Sequence, residues 1–124
     1  MPAQTPADCD IQLIQAINAG DLESALSFYE PEATFVVEPG KTVTGIQAIR
    51  EVMTGMIAGK PTLTIEVPFV AQSGDTAMLH SKWTTKGLDE HGNITEMEGN
   101  GVEIVRLQAD GTWKFIIDNP WGSS

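Results

Sequence analysis

Along the first half of the chain apolar residues recur at helical spacing; from residue 62 onward they alternate. Ile11, Ile14 and Ile17, with Leu13 four before Ile17, make one helical stripe. Asp8 or Asp10 caps this first helix, and Gly20 after Asn18-Ala19 suits a left-handed C-terminal cap. Asp21 caps a second, short helix, in which Leu22, Ala25, Leu26 and Tyr29 keep the i, i+3, i+4, i+7 spacing; Pro31 stops it. Residues 33–37 read as a strand closed by Glu38-Pro39-Gly40, with a short return at 41–43. Thr44-Gly45-Ile46-Gln47 matches a capping box. The third helix that it opens buries Ile46, Ile49, Met53 and Met56 or Ile57, and ends near Gly59.

The remainder is β. Leu63, Ile65, Val67 and Phe69 alternate with Thr62, Thr64, Glu66 and Pro68, and the proline requires an edge position or a bulge. After a turn at 73–75, Ala77, Leu79, Ser81, Trp83 and Thr85 share one face; Met78, His80, Lys82, Thr84 and Lys86 share the other. Residues 99–121 form a long hairpin entered through 94–98, with its reversal at Ala109-Asp110-Gly111. Gly99 and Gly101 inside a strand predict a bend or bulge. Residues 1–7, with two prolines, read as a loose arm. The order predicts an α+β fold over 1–124 as one domain: a curved antiparallel sheet wrapped as a cone around three helices, with a pocket at its open end.

Glu103 is the residue of greatest chemical interest. It shares a face with Val105 and Leu107, while Val102, Ile104 and Arg106 share the other, so the pattern permits either face to be the inner one. Facing inward, it is a carboxyl in apolar surroundings, which favour the neutral acid. Facing outward, it pairs across strands with a cation such as Lys82 or Lys114.

Composition narrows the function. The 124 residues suffice for a core without disulfides, and Cys9 as the single cysteine excludes an intrachain one. No motif surrounds Cys9, which reads as a passive thiol. A net charge of −10 argues against binding nucleic acid or an anionic membrane through bulk charge. The first residues lack a signal-peptide pattern, and no apolar run approaches the roughly 20 residues of a membrane span, so the expected location is cytoplasmic. His80 and His91 lie far apart with no His-Glu-x-x-His spacing, and phosphate-binding glycine loops are missing; neither a metal nor a cofactor is expected.

Asn18-Ala19-Gly20-Asp21-Leu22, Ala33-Thr34-Phe35 and Gly45-Ile46-Gln47-Ala48-Ile49-Arg50, with the closing runs 110–114 and 118–121, resemble the nuclear-transport-factor-2-like superfamily. That superfamily includes ketosteroid isomerase and the SnoaL-type polyketide cyclases. The resemblance implies a cone-shaped barrel of cystatin-like type and a homodimer through the outer sheet face, where Met78, His80, Thr84, Ile104 and Arg106 permit a contact. Matched to ketosteroid isomerase, Glu38 before Pro39 holds the place of the general base and Glu103 that of the second acid. The place of the oxyanion tyrosine falls at Leu13, which cannot donate a hydrogen bond.

The candidate catalytic residues are therefore Glu103, Glu38 and Asp118, the last ending the final strand at the expected mouth. Glu38 equally suits a solvated turn. Trp83 and Trp121 offer stacking faces for a flat ligand, and Asn119, Leu13 and Met53 complete the expected ligand contacts. Two functions follow as expectations: a pocket for a small apolar molecule, extending to cofactor-independent isomerase or cyclase chemistry on a carbonyl compound, or a non-enzymatic dimeric interaction module.

Overall fold

The computed structural model describes residues 3–89 and 91–122. The elements run α1 (Pro6–Asn18), α2 (Leu22–Leu26), β1 (Tyr29–Glu38), β2 (Lys41–Thr44), α3 (Ile46–Ala58), β3 (Thr62–Ser73), β4 (Thr76–Leu88), β5 (Ile94–Leu107) and β6 (Trp113–Asn119). The strands form one curled sheet in the order β2-β1-β6-β5-β4-β3, left open because β2 and β3 do not meet. This is the expected α+β architecture, with one departure: β1 pairs with β6 in parallel, while every other pairing is antiparallel. Helix α3 lies between β2 and β3 in the chain, in the order that the spacing predicts.

Helix α1 crosses the concave side of the sheet and touches β3, β4, β5 and β6. Thr5 caps it rather than Asp8 or Asp10: its hydroxyl accepts from the Asp8 backbone, and the Asp8 carboxyl accepts from the Thr5 backbone. Residues 3–7 accordingly belong to the fold and not to a loose arm. Ala3 is buried, and its carbonyl accepts from the Trp113 backbone N–H; Met1 and Pro2 lie outside the described residues. The buried stripe of α1 is Cys9, Asp10, Leu13, Ala16 and Ile17, whereas Ile11 is 40% exposed. At 100° per residue Ile11 lies opposite Leu13, so sheet packing selects the Leu13 face.

Helix α2 stops at Leu26, and Tyr29 opens β1, which runs through Pro31. Pro31 is exposed in the segment where the β1–β6 register shifts, a place where a missing N–H costs no ladder bond. The Thr44–Gln47 capping box does not form; Gly45 is the N-cap of α3, at φ 99°, without a side-chain hydrogen bond. Ile49 and Met53 of α3 are fully buried. Pro68 satisfies both of its expectations, since β3 is an edge strand and its register with β4 shifts between Glu66 and Phe69. The outer face exposes Phe69, its ring tilted against that of His80, and Ile117.

No bulge occurs at Gly99 or Gly101: β4 and β5 pair without interruption from Thr76↔Arg106 to Leu88↔Ile94. The glycines make room instead. A Cβ on Gly99 would stand 2.6 Å from Trp83 Cζ2, and one on Gly101 would stand 2.6 Å from Ser81 Oγ and strike Glu103 Oε2. Gly101→Ala is expected to destabilise the fold by about 1–3 kcal/mol through overpacking. Urea denaturation at pH 6 checks this; an unchanged midpoint overturns it.

Candidate functional site

The curled sheet and its helices enclose a cavity of about 220 Å³. Its wall is mostly apolar, including Leu13, Phe35, Met53, Trp83 and Trp121, with polar exceptions at Asp10, Ser81, Thr85, Glu103 and Asp118. Three of these are acids from different elements: Asp10 from α1, Glu103 from β5 and Asp118 from β6, all at most 5% exposed. Glu103 faces inward because its neighbour two positions on, Val105, is fully buried in the core. It lies across from Leu79 on one side and Asp118 on the other. The cross-strand cations Lys82 and Lys114 are therefore on the wrong side of the sheet to reach it.

Asp118 owes its inward position to an irregularity. Phe115 and Asp118 are both buried, although three residues apart on one strand. Strict alternation from Phe115 would place Asp118 outside. The β5–β6 register shifts between Ile104 and Val105, pairing Val105 with Phe115 but Ile104 with Ile117, and Ile116 is the extra residue. Tyr29, buried at the start of β1, donates its hydroxyl to Asp118 Oδ2 at 2.5 Å.

The acids alter one another's chemistry. Burial first, then the neighbouring Asp10 and Asp118, pushes the Glu103 carboxyl up to about 11. Burial raises Asp118 to about 7 against the lowering effect of the Tyr29 hydrogen bond, and raises Asp10 to about 6. Ser81 Oγ donates to Glu103 Oε2 at 3.3 Å. Asp10 Oδ2 and Glu103 Oε1 are buried without an N–H or hydroxyl donor, and the two carboxyls are within hydrogen-bonding reach of each other. Two carboxylates can only accept, so this contact needs a proton between them. Glu103, with the greater upward shift, is the group that keeps it. Burial, with Asp10 beside it, also drives the Cys9 thiol far up, leaving it protonated and unreactive.

The other expected residues divide. Trp83, Trp121, Leu13 and Met53 line the cavity. Asn119 does not: its side chain holds the C-terminal turn, donating to the Gly122 carbonyl and accepting from the Trp121 N–H. Glu38 is exposed at the β1–β2 turn opposite Lys41, beyond a register shift after Val36, and is not part of the cavity wall. Its neighbour Val37 takes the inward position. Asp10 and Tyr29 were missed. Asp10 stands three before Leu13 and seven before Ile17, a spacing that puts it on their helix face. Tyr29 carried no signal, because its partner is 89 residues away. Among the described residues no group of His, Cys, Asp and Glu is arranged to hold a metal ion. No described helix is long and apolar enough to cross a membrane.

Tyr29→Phe tests the site's electrostatics. Its removal takes away the one hydrogen bond that lowers Asp118, so the Asp118 carboxyl is expected to titrate at least about one unit higher by carbon-detected NMR. An unchanged titration would show that this bond does not hold Asp118.

A curled open sheet folded over helices is the architecture of the nuclear-transport-factor-2-like class. The chain belongs to the SnoaL-like domain family within it, which its residues 11–116 match. Solved structures agree on the fold. A superfamily member from Salmonella enterica serovar Typhimurium superposes with a TM-score of 0.81 at 16% identity, covering 94% of this chain and 87% of that one. A ketosteroid isomerase-like protein from Erwinia carotovora atroseptica gives 0.78 at 20% identity, covering 90% and 88%. A protein with a cystatin-like fold from Novosphingobium aromaticivorans gives 0.74 at 14%, covering 90% and 75%. Among curated proteins nothing matches.

Proposed function

We propose that the cavity binds a small apolar carbonyl compound and moves a proton on it without a cofactor. The observation that carries this reading is the meeting of Asp10, Glu103 and Asp118 in an apolar wall, with two acids held far apart in proton affinity. Burying carboxyls is costly, and nothing in the packing of this core requires them.

The roles follow from those affinities. Glu103 is neutral near pH 7 and donates a hydrogen bond to the carbonyl oxygen as negative charge develops there. Asp118 titrates near neutrality, suiting a base that takes the proton from the carbon beside the carbonyl. Tyr29 fixes the Asp118 carboxyl, and Asp10 favours protonated Glu103. Return of the proton from Asp118 to a different carbon completes an isomerisation and restores both acids. The base is thus Asp118 in place of Glu38, and no tyrosine stands at Leu13 to share the oxyanion.

The test is conversion of cyclohex-3-enone to its conjugated isomer, followed in D2O by proton NMR. Acceleration by the wild-type protein is the expected result. Binding without conversion or exchange marks a binding protein, and neither binding nor exchange overturns the reading.

A further inference from the structure

The cavity wall contains a second feature that the carboxyls do not explain. Trp83 and Trp121 meet at a right-angled corner, with ring centroids 5.7 Å apart and planes at 81°. The Trp83 ring is held from behind, and Trp121 is fixed through the backbone of its turn, its indole N–H buried without a partner. Trp83 Nε1 donates to the Pro120 carbonyl at 2.7 Å, so its single donor is used and it offers the cavity only carbon surface. Its six-membered ring lies against Gly99, where any side chain would collide. Trp121 rides on the 119–122 turn, fixed by the two Asn119 hydrogen bonds and by Gly122 at φ 60°. Gly122 is itself close-packed, since a Cβ there would stand 2.7 Å from the Asn100 carbonyl oxygen.

The register places this corner relative to the acids. Trp83 lies opposite Gly99, Ser81 opposite Gly101 and Leu79 opposite Glu103. The Glu103 carboxyl reaches back over Gly101 and the Trp83 ring lies over Gly99, positions two residues apart, about 7 Å along the strand. Between them β4 places Ser81 in the wall, and Thr85 lies beyond Trp83 on the side away from the acids. The hollow therefore has an aromatic end and an acid end. Its volume of about 220 Å³ lies below the roughly 300–1,000 Å³ of pockets for drug-sized ligands, so the occupant is small. A rigid corner of two indoles favours a flat conjugated ring, which stacks on one face and meets the other edge-on; a puckered saturated ring of equal size does neither.

We infer that the ligand is a flat, one- or two-ring conjugated compound, its ring seated in the Trp83–Trp121 corner and its carbonyl or enol oxygen at Glu103. This rests on the carbonyl-binding reading above and narrows its substrate class. Trp83 and Trp121 are specificity-determining residues, and Asn119 is a positioning residue that acts through Trp121.

The test compares 2-naphthol with decahydro-2-naphthol, the same skeleton flat and puckered, by calorimetric titration at pH 6. Wild type is expected to bind the flat probe more tightly. Trp121→Leu should weaken 2-naphthol by about 3- to 10-fold while changing the saturated probe by less than about twofold, and Trp121→Phe, which keeps a ring, should restore most of the loss. In 15N NMR, 2-naphthol should shift the indole signals of Trp83 and Trp121 and leave that of Trp113, buried in the core, in place. Equal affinity for the two probes, or equal losses in Trp121→Leu, overturns the inference. If Glu103→Gln still alters binding of both probes, the acid-end reading survives that result. Binding of neither probe at millimolar concentration overturns both.

Discussion

Raising the pH from 5 to 8 is expected to destabilise the wild-type protein steeply, and Glu103→Gln is expected to flatten that loss. The sign comes from proton counting. Unfolded, Glu103 releases its proton near the ordinary value of 4.5; folded, it holds it to about 11. Across pH 5 to 8 the unfolded chain thus binds fewer protons than the folded one, and stability falls as pH rises. Each proton so retained contributes a slope of about 1.4 kcal/mol per pH unit. Asp10 and Asp118 act in the same direction only until about 6 and 7. The carboxylates held below their ordinary values, such as Glu30 beside Arg106, contribute in full above their unfolded values and lose that contribution only as pH falls below this window. Repulsion within a chain of net charge −10 is nearly common to both proteins, so the difference in their slopes isolates Glu103. Glutamine keeps the shape and can donate to Asp10, which makes the variant the more stable protein at pH 8. Urea melts at four pH values measure both slopes. Parallel slopes would show Glu103 ionised and solvated in the folded state.

The second large effect concerns turnover. With the ketone as substrate, Asp118→Asn is expected to lower kcat by about 10²- to 10⁴-fold, the usual contribution of a positioned general base. Wild-type activity should rise as pH passes about 7, where Asp118 gives up its proton, and fall only as Glu103 ionises toward about 11. The acidic limb belongs to Asp118 and should vanish in the Asn variant. Loss of Asp118 without loss of rate would remove it from the chemistry. A rate that fell equally at every pH, with the acidic limb intact, would assign it a positioning role instead.

These expectations depend on residues that were legible to different degrees. Helix and strand spacing pointed to α1, α3 and the four long segments of the C-terminal sheet, because amphipathic period is a local property. The inner face of β4, with Ser81 and Trp83, could be read directly from alternation over an uninterrupted strand. Glu103 was legible as an anomaly, an acid among β-branched residues, but both faces of its strand carried apolar side chains. Glu38 misled because its place beside Pro39 fits a motif, while alternation from the inward Phe35 and Val37 turns it to solvent. Asp10 was read as a helix cap, since the sequence does not say whether α1 begins at Thr5 or three residues later.

By itself the sequence determined the order of helices and strands, the α+β class and the set of acids and indoles from which a site could be made. Those follow from chain-local spacing and from residue chemistry. Tertiary structure alone decided the parallel contact of β1 with β6, the extra residue at Ile116 that turns Asp118 inward, and the meeting of Asp10, Tyr29, Glu103 and Asp118. Parity along a strand changes with one inserted residue, and a carboxyl's proton affinity depends on neighbours brought from distant parts of the chain; neither quantity exists until the sheet has curled around α1.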